Sequence, residues 1–174
     1  MEFTLEFNTY IILFIAAFLA SLIDSIAGGG GLLTTPAMLL VGISPLNTLA
    51  TNKFQSCFGT FTSTYNYYKN GLLTEPKRYL FFFLSFAGSM VGTFLVSRIS
   101  NELLESIIPI LLISAAVFFI LNRGPSTSNK SSSLVFIFNF IVILIGFYDG
   151  FFGPGTGSLF VLAFVIIKGI SIME

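Results

Sequence analysis

The stretch Asp24-Ser-Ile-Ala-Gly-Gly-Gly-Gly31 interrupts one long apolar run of this chain, and the related stretch Asp149-Gly-Phe-Phe-Gly-Pro-Gly-Thr-Gly157 interrupts another. Each stretch combines a carboxylate with helix-breaking glycines at a depth where lipid cannot hydrogen-bond a bare backbone. Such a break is tolerated only where it is buried in protein or lines a watery cavity. Interrupted apolar segments in corresponding positions of two halves of a chain are the best sequence indication of a transporter binding site.

The composition is that of an integral membrane protein. The 174 residues are 55% hydrophobic and only 9% charged, against roughly 25% charged in an average soluble domain. The apolar stretches are continuous rather than alternating, which is typical of helices and not of an outer-membrane barrel. We therefore predict an all-α, polytopic helical membrane protein. The predicted apolar segments are 10–27, 32–43, 46–68, 79–96, 103–121, 134–152 and 159–167.

Charge and residue usage exclude several functions. The formal net charge is zero and no dense basic cluster occurs, so we expect no nucleic-acid partner. Cys57 is the only cysteine and the chain has no histidine, which removes disulfide frameworks, the usual zinc sites and histidine-dependent catalysis. We expect no metal and no cofactor. The expected partners are a small anionic solute and the lipid bilayer, and homo-oligomerisation stays open.

Segments 32–43 and 159–167 are too short to cross the roughly 30 Å of a hydrocarbon core, so we predict half-helices there. Two glycine pairs, Gly88-xxx-Gly92 and Gly146-xxx-Gly150, offer small faces on longer segments. Such faces allow close helix packing, and we assign these pairs to packing rather than to a site.

Basic residues of the short loops concentrate in the loops 69–78 and 123–132. Basic loops face the cytoplasm, so both are predicted to be cytoplasmic and the N-terminus external, in an inner membrane. When membrane crossings are counted from these loops, the chain reaches the two Asp/Gly stretches from opposite sides of the membrane. The sequence therefore predicts inverted repeats within a single transmembrane domain over 1–174. Residues 1–122 form the first repeat, 123–132 the cytoplasmic loop and 133–174 a second repeat that we expect to be incomplete.

Three ionisable residues lie inside apolar segments: Asp24, Lys53 and Asp149. Such residues are costly in lipid and by default mark a pathway. Each has an alternative role. The carboxylates would either couple a proton to transport or cap backbone groups freed by the glycines, and Lys53 would either bind substrate or extend to the outer interface.

The glycine loops favour an anion as ligand. They allow several backbone N–H groups to point into a cavity, and the N-terminus of a following half-helix adds partial positive charge. Lys53 would add a full charge, and nearby hydroxyl and amide groups would complete the hydrogen bonds. The candidate substrate-binding residues are Gly28, Gly29, Gly30, Gly31, Thr34, Thr51, Asn52, Lys53, Gly153, Gly155, Thr156 and Gly157.

Three stretches together resemble the TauE/SafE family, also called the sulfite exporter or TSUP family. They are 24–37 with its four glycines, Ala50-Thr-Asn-Lys53, and Phe147-Tyr-Asp-Gly-Phe-Phe-Gly-Pro-Gly-Thr-Gly-Ser158. The resemblance covers nearly the whole chain. It implies a bacterial inner-membrane permease for small anions such as sulfite, thiosulfate or organosulfonates. It also implies a further Lys/Asn-bearing segment in the second repeat, which this chain does not contain.

The leading hypothesis is therefore a permease that works by alternating access around the paired glycine loops, and not an enzyme. Two alternatives remain. One is a non-transporting scaffold or an inactive fragment of such a permease, with a buried charge pair such as Asp24 with Lys53. The other is an intramembrane enzyme using Ser158 as nucleophile and Lys53 as base, although no histidine exists to activate the serine.

Overall fold

The computed structural model describes residues 7–27, 29–73, 76–121 and 134–165, and within these ranges the regular structure is helical. The predicted loop 123–132 lies outside the described residues, as do the end of segment 159–167 and the chain beyond it. The helices are α1 (Phe7–Ala27), α2 (Gly31–Leu40), α3 (Pro45–Lys69), α4 (Arg78–Val96), α5 (Asn101–Leu121), α6 (Leu134–Phe151) and α7 (Thr156–Ala163).

The helix that follows the first Asp/Gly stretch is short, as the sequence predicts. α2 has 10 residues, which at 1.5 Å per residue gives about 15 Å, or half of a membrane crossing, and confirms a half-helix there. The helical backbone that begins with α7 continues to Val165, the last described residue, so the half-helix predicted for 159–167 stays a prediction.

Three helices of the described chain are long and apolar enough to cross a membrane: α1, α4 and α5. Their outer faces carry large exposed apolar side chains, among them Phe14 at 72% and Ile113 at 65% exposure. Side chains of this kind are stable only against lipid, so the chain is a multi-pass membrane protein. The 25-residue helix α3 is also long enough, but its polar residues exclude it from this apolar set. The description of 46–68 as an apolar segment was wrong in this respect.

The closest helix contact in the fold joins α4 to α6 through the two predicted glycine pairs. A Cβ added at Gly88 would meet backbone atoms of Ile143, and one added at Gly146 would meet backbone atoms of Ser85. Gly92 and Gly150 lie equally close to the facing backbone. Only glycine allows two helices to approach so closely, and the packing role of both pairs is confirmed.

The register of this contact fixes the relative direction of the helices. Ser85 lies against Gly146 and Ser89 lies against Gly150, so positions increase together and α4 runs parallel to α6. The backbone N–H of Leu46 donates to Asn101 Oδ1 at 3.3 Å, which places the starts of α3 and α5 at one end. We call this the Pro45 end, and the opposite end, where α4 and α6 begin, the Arg78 end. Helices α3 and α5 start at the Pro45 end, and α4 and α6 start at the Arg78 end.

Two apolar clusters lie towards opposite ends of the bundle, one on each side of the glycine loops. The Pro45-end cluster consists of Leu49, Val96, Leu104, Ile108 and Phe152. The Arg78-end cluster consists of Phe81, Phe138, Val142 and Ala163, with Phe160 and Phe164 against it.

Candidate functional site

The first glycine loop is held by the carboxylate that precedes it. The backbone N–H of Gly30 donates to Asp24 Oδ1 at 2.9 Å. A Cβ at Gly30 would lie 2.5 Å from the carbonyl oxygen of Ala20, so only glycine lets the chain fold back onto α1 here. Asp24 therefore caps a backbone group freed by the glycines, which is one of the two roles considered for it from the sequence.

We expect Asp24→Ala to lower the free energy of unfolding by about 1 kcal/mol, the usual effect of losing a side-chain cap. Asp24→Asn keeps an acceptor oxygen at the same place and is the matched control. Its melting temperature in detergent should stay close to that of the unmodified protein. Equal destabilisation by both variants would contradict the capping role and would mean that the charge itself is required.

The second glycine loop depends on left-handed backbone. Gly153 has φ +97° and Gly155 has φ +82°, conformations that other residues rarely adopt. Pro154 lies between them, and its carbonyl oxygen accepts a hydrogen bond from the Tyr148 hydroxyl at 2.9 Å. Thr156 begins α7 and donates its hydroxyl to the Gly153 carbonyl. The loop is therefore a rigid turn that directs the start of α7 back into the bundle.

The two glycine loops, which are more than 120 residues apart in the chain, meet in space. A Cβ at Gly31 would lie 3.0 Å from Pro154 Cα and 2.9 Å from Asn52 Nδ2. The Thr34 hydroxyl donates to Asn52 Oδ1 at 2.7 Å, and both side chains are buried. The first loop, the second loop and α3 therefore converge at Asn52.

Lys53 reaches the second loop from α3. Its Nζ donates to the backbone carbonyl of Asp149 and lies 3.7 Å from Asp149 Oδ2. It also lies beside Gly153, where an added Cβ would be 3.0 Å from Nζ. The lysine is thus directed to the protein interior rather than to the outer interface. The charge pair offered as an example under the scaffold alternative, Asp24 with Lys53, was wrong, because Lys53 pairs with Asp149.

A cavity of about 960 Å³ extends from the point where the loops meet. The predicted site residues that line it are Asp24, Gly30, Gly31, Thr34, Asn52, Asp149, Gly153, Gly155, Thr156 and Gly157. Three others, Gly29, Thr51 and Lys53, are not part of its lining, although Lys53 contacts Asp149 and lies beside Gly153. Gly28 lies outside the described residues. Most of the predicted site is therefore brought together around one space.

Sequence reasoning missed a second set of polar residues in the cavity wall. On α3 and α4 these are Gln55, Ser56, Thr60, Ser63, Ser85 and Ser89. A usable signal was present, because the polar positions of α3 recur every three or four residues from Asn52 onwards and therefore share one helix face. Gln55 Nε2 and Ser21 Oγ lie 3.4 Å apart and connect α3 to α1 across the cavity.

Comparisons with known proteins point to one family. The family described as Sulfite exporter TauE/SafE matches residues 13–174. The chain is 42% identical over 172 residues to "Probable membrane transporter protein ORF9" of Sinorhizobium sp, covering 98% of this chain and 66% of the relative. It is 40% identical over 166 residues to "Probable membrane transporter protein YfcA" of Escherichia coli K12, covering 94% of this chain and 61% of the relative.

A more distant relative is a plant protein. The chain is 37% identical over 83 residues to "Sulfite exporter TauE/SafE family protein 5" of Arabidopsis thaliana, covering 47% of this chain and 18% of the relative. No solved structure matches the chain. The chain spans about two thirds of the length of the bacterial relatives described above.

Proposed function

This chain belongs to the TauE/SafE family of membrane transporters, and from that premise we propose that it carries a small anion, a sulfur-containing oxyanion or an organosulfonate. The family and its relatives are transporters, so we reject the alternative of an intramembrane enzyme that the sequence left open. The observation that carries the proposal is the meeting of two glycine loops beside Lys53, at the head of a cavity lined by polar residues and phenylalanines.

The chemistry of the loops suits an oxyanion. Gly31 and Gly155 have no side chains that would keep a ligand away from their backbone N–H groups, whereas the N–H of Gly153 already donates to the Tyr148 carbonyl at 3.2 Å. The start of α7 adds the partial positive charge of a helix N-terminus. Asn52 provides an amide within the same wall, while the Thr156 hydroxyl, which donates to the Gly153 carbonyl, would have to change partner to bind the anion. Lys53 supplies the cation, at present shared with Asp149.

The proposed mechanism is alternating access of two inverted repeats, 1–122 and 133–174, around the glycine loops. It is supported by the contact between Gly31 and Pro154, which joins the two glycine loops. In this proposal the N-terminus is external, the loops 69–78 and 123–132 are cytoplasmic, and the membrane is the bacterial inner membrane. Transport is coupled to a proton that Asp149 binds when it separates from Lys53 and releases when the two residues pair again.

The proposal predicts selective stabilisation of the purified protein by its anion. Sulfite, thiosulfate and methanesulfonate are added in detergent at matched ionic strength, with chloride as the control. A ligand at a hundred times its Kd stabilises the folded state by about 2.7 kcal/mol, which raises the melting temperature by several degrees. If none of the three anions exceeds chloride while the protein stays folded, the anion proposal fails.

One observation favours the second candidate, a non-transporting scaffold. Each charged residue of the site has a partner within the protein. Asp24 accepts a hydrogen bond from the Gly30 N–H, and Lys53 forms an ion pair with Asp149. Such pairs can serve folding alone. The two candidates differ in the anion experiment, because a scaffold has no reason to distinguish a sulfur oxyanion from chloride.

A further inference from the structure

The cavity extends from the glycine loops in one direction only. On α3 its lining runs from Asn52 to Ser63, eleven positions further along the helix, which corresponds to about 16 Å. On α4 the lining residues all fall between Phe81 and Ser89, and none falls in the last two turns, 90–96. Since α4 begins at the Arg78 end and α3 finishes there, the cavity lies between the glycine loops and the Arg78 end.

The other side of the loops is closed by tightly packed apolar residues. Leu49, Val96 and Phe152 are 3%, 4% and 0% exposed, and Leu104 and Ile108 complete the cluster. A wall of this kind leaves no polar partner for water or for an anion. Nothing in the cavity lining comes from this Pro45-end cluster. The cavity instead passes beside the Arg78-end cluster, since Phe81 and Phe160 belong to its lining.

The lining of the cavity combines a row of hydroxyl groups with phenylalanine side chains. The phenylalanines are Phe58, Phe81, Phe82, Phe86 and Phe160. Ser56, Thr60 and Ser63 recur along one face of α3, and Ser85 and Ser89 face the same space from α4. Their neighbour Cys57 is exposed but does not belong to the lining. Polar groups within a membrane are normally turned to the bundle interior or to water, so this face marks a path for a hydrated solute.

We propose that the hydroxyl row formed by Ser56, Thr60, Ser63, Ser85 and Ser89 is the access path of the transported anion, and that it opens at the Arg78 end. The Pro45-end cluster is the closed gate of the conformation described. The hydroxyls donate hydrogen bonds to the oxygen atoms of the anion as it loses water on its way to the glycine loops. This inference deepens the proposed function and rests on it for the nature of the solute. Whether the path is open to water does not depend on which solute is transported.

Cysteine labelling in sealed vesicles tests the path. In a Cys57→Ser background, single variants Ser56→Cys, Ser63→Cys and Ser85→Cys are treated with the membrane-impermeant reagent 2-sulfonatoethyl methanethiosulfonate. The serine-to-cysteine change is nearly isosteric, and each variant is first checked for a normal elution profile. We expect these thiols to react at least tenfold faster than Cys57 in the unmodified protein, because only a hydrated thiol forms the reactive thiolate.

Sidedness completes the experiment. Reaction should occur in vesicles that expose the loop 69–78 to the reagent and not in vesicles of opposite orientation. Uniformly slow reaction of all variants would overturn the proposal and would mean that other protein or lipid fills the cavity. Reaction from the opposite side alone would overturn it as well. Methanesulfonate is the protecting anion, because sulfite and thiosulfate consume the reagent. Fast, one-sided reaction that methanesulfonate fails to slow would support the open path while speaking against an organosulfonate as the solute.

Discussion

Gly150→Leu is expected to abolish folded protein. A Cβ at this position would meet the carbonyl group of Ser89, and one at Gly92 would meet Phe151 in return. The obstructing atoms are backbone, so no rotamer change can relieve the contact. Overpacking by one methyl group typically costs about 1–3 kcal/mol, which we expect for Gly150→Ala, and leucine must separate α4 from α6 altogether. The yield of monodisperse protein in detergent and its melting temperature measure both effects.

Gly59→Leu is the matched control for this prediction. Gly59 lies within α3, also a long helix, and a Cβ there would meet no atom within 4 Å. The substitution makes the same change in volume and improves helix propensity by up to about 1 kcal/mol. Its yield and melting temperature should match those of the unmodified protein or exceed them. A Gly150→Leu protein that melts normally would show that the α4–α6 contact does not hold the bundle together. A Gly59→Leu protein that fails to fold would show that leucine disrupts this bundle even where a side chain has open space.

The sequence was informative wherever a local rule decides the structure. The length of an apolar run fixes whether a helix can cross the membrane, so α2 was predicted as a half-helix. Spacing alone predicted small faces at Gly88 with Gly92 and at Gly146 with Gly150, because residues four apart share a helix face. It could not show that the two pairs face each other, since partner choice depends on the arrangement of the whole bundle.

Two features of the site were not predicted from the sequence and became apparent only in the structure. The polar face of α3 was passed over because an average over the segment 46–68 hides a row such as Gln55, Ser56 and Thr60 that occupies only one side of the helix. Reading the segment by helical period would have found it. The contact of Lys53 with Asp149 spans 96 positions, and no local rule assigns one of two similar carboxylates to a lysine. The tertiary structure determines the pairing: Asp24 accepts a hydrogen bond from Gly30, and Asp149 lies beside Lys53.

Lys53→Ala is expected to remove selective binding of sulfur oxyanions. The lysine is the cation that the structure places beside both Asp149 and Gly153. Loss of a hydrogen bond to a charged group costs about 1.5–3 kcal/mol, so the affinity should fall roughly ten- to hundredfold. The same substitution leaves Asp149 without its cation. Because that carboxylate is 40% exposed, the cost in stability should be smaller than the 3–5 kcal/mol typical of a broken, fully buried pair.

The double variant Lys53→Ala/Asp149→Asn separates binding from folding. It removes both charges, so the melting temperature lost in Lys53→Ala should be regained, while anion binding should remain absent. Asp149→Asn alone frees Lys53 from its competing carboxylate and should bind the anion more tightly than the unmodified protein does. A scaffold would show the same pattern of melting temperatures with no anion response in any variant. If the double variant bound the anion normally, the glycine loops would suffice as the site and Lys53 would be a structural partner of Asp149.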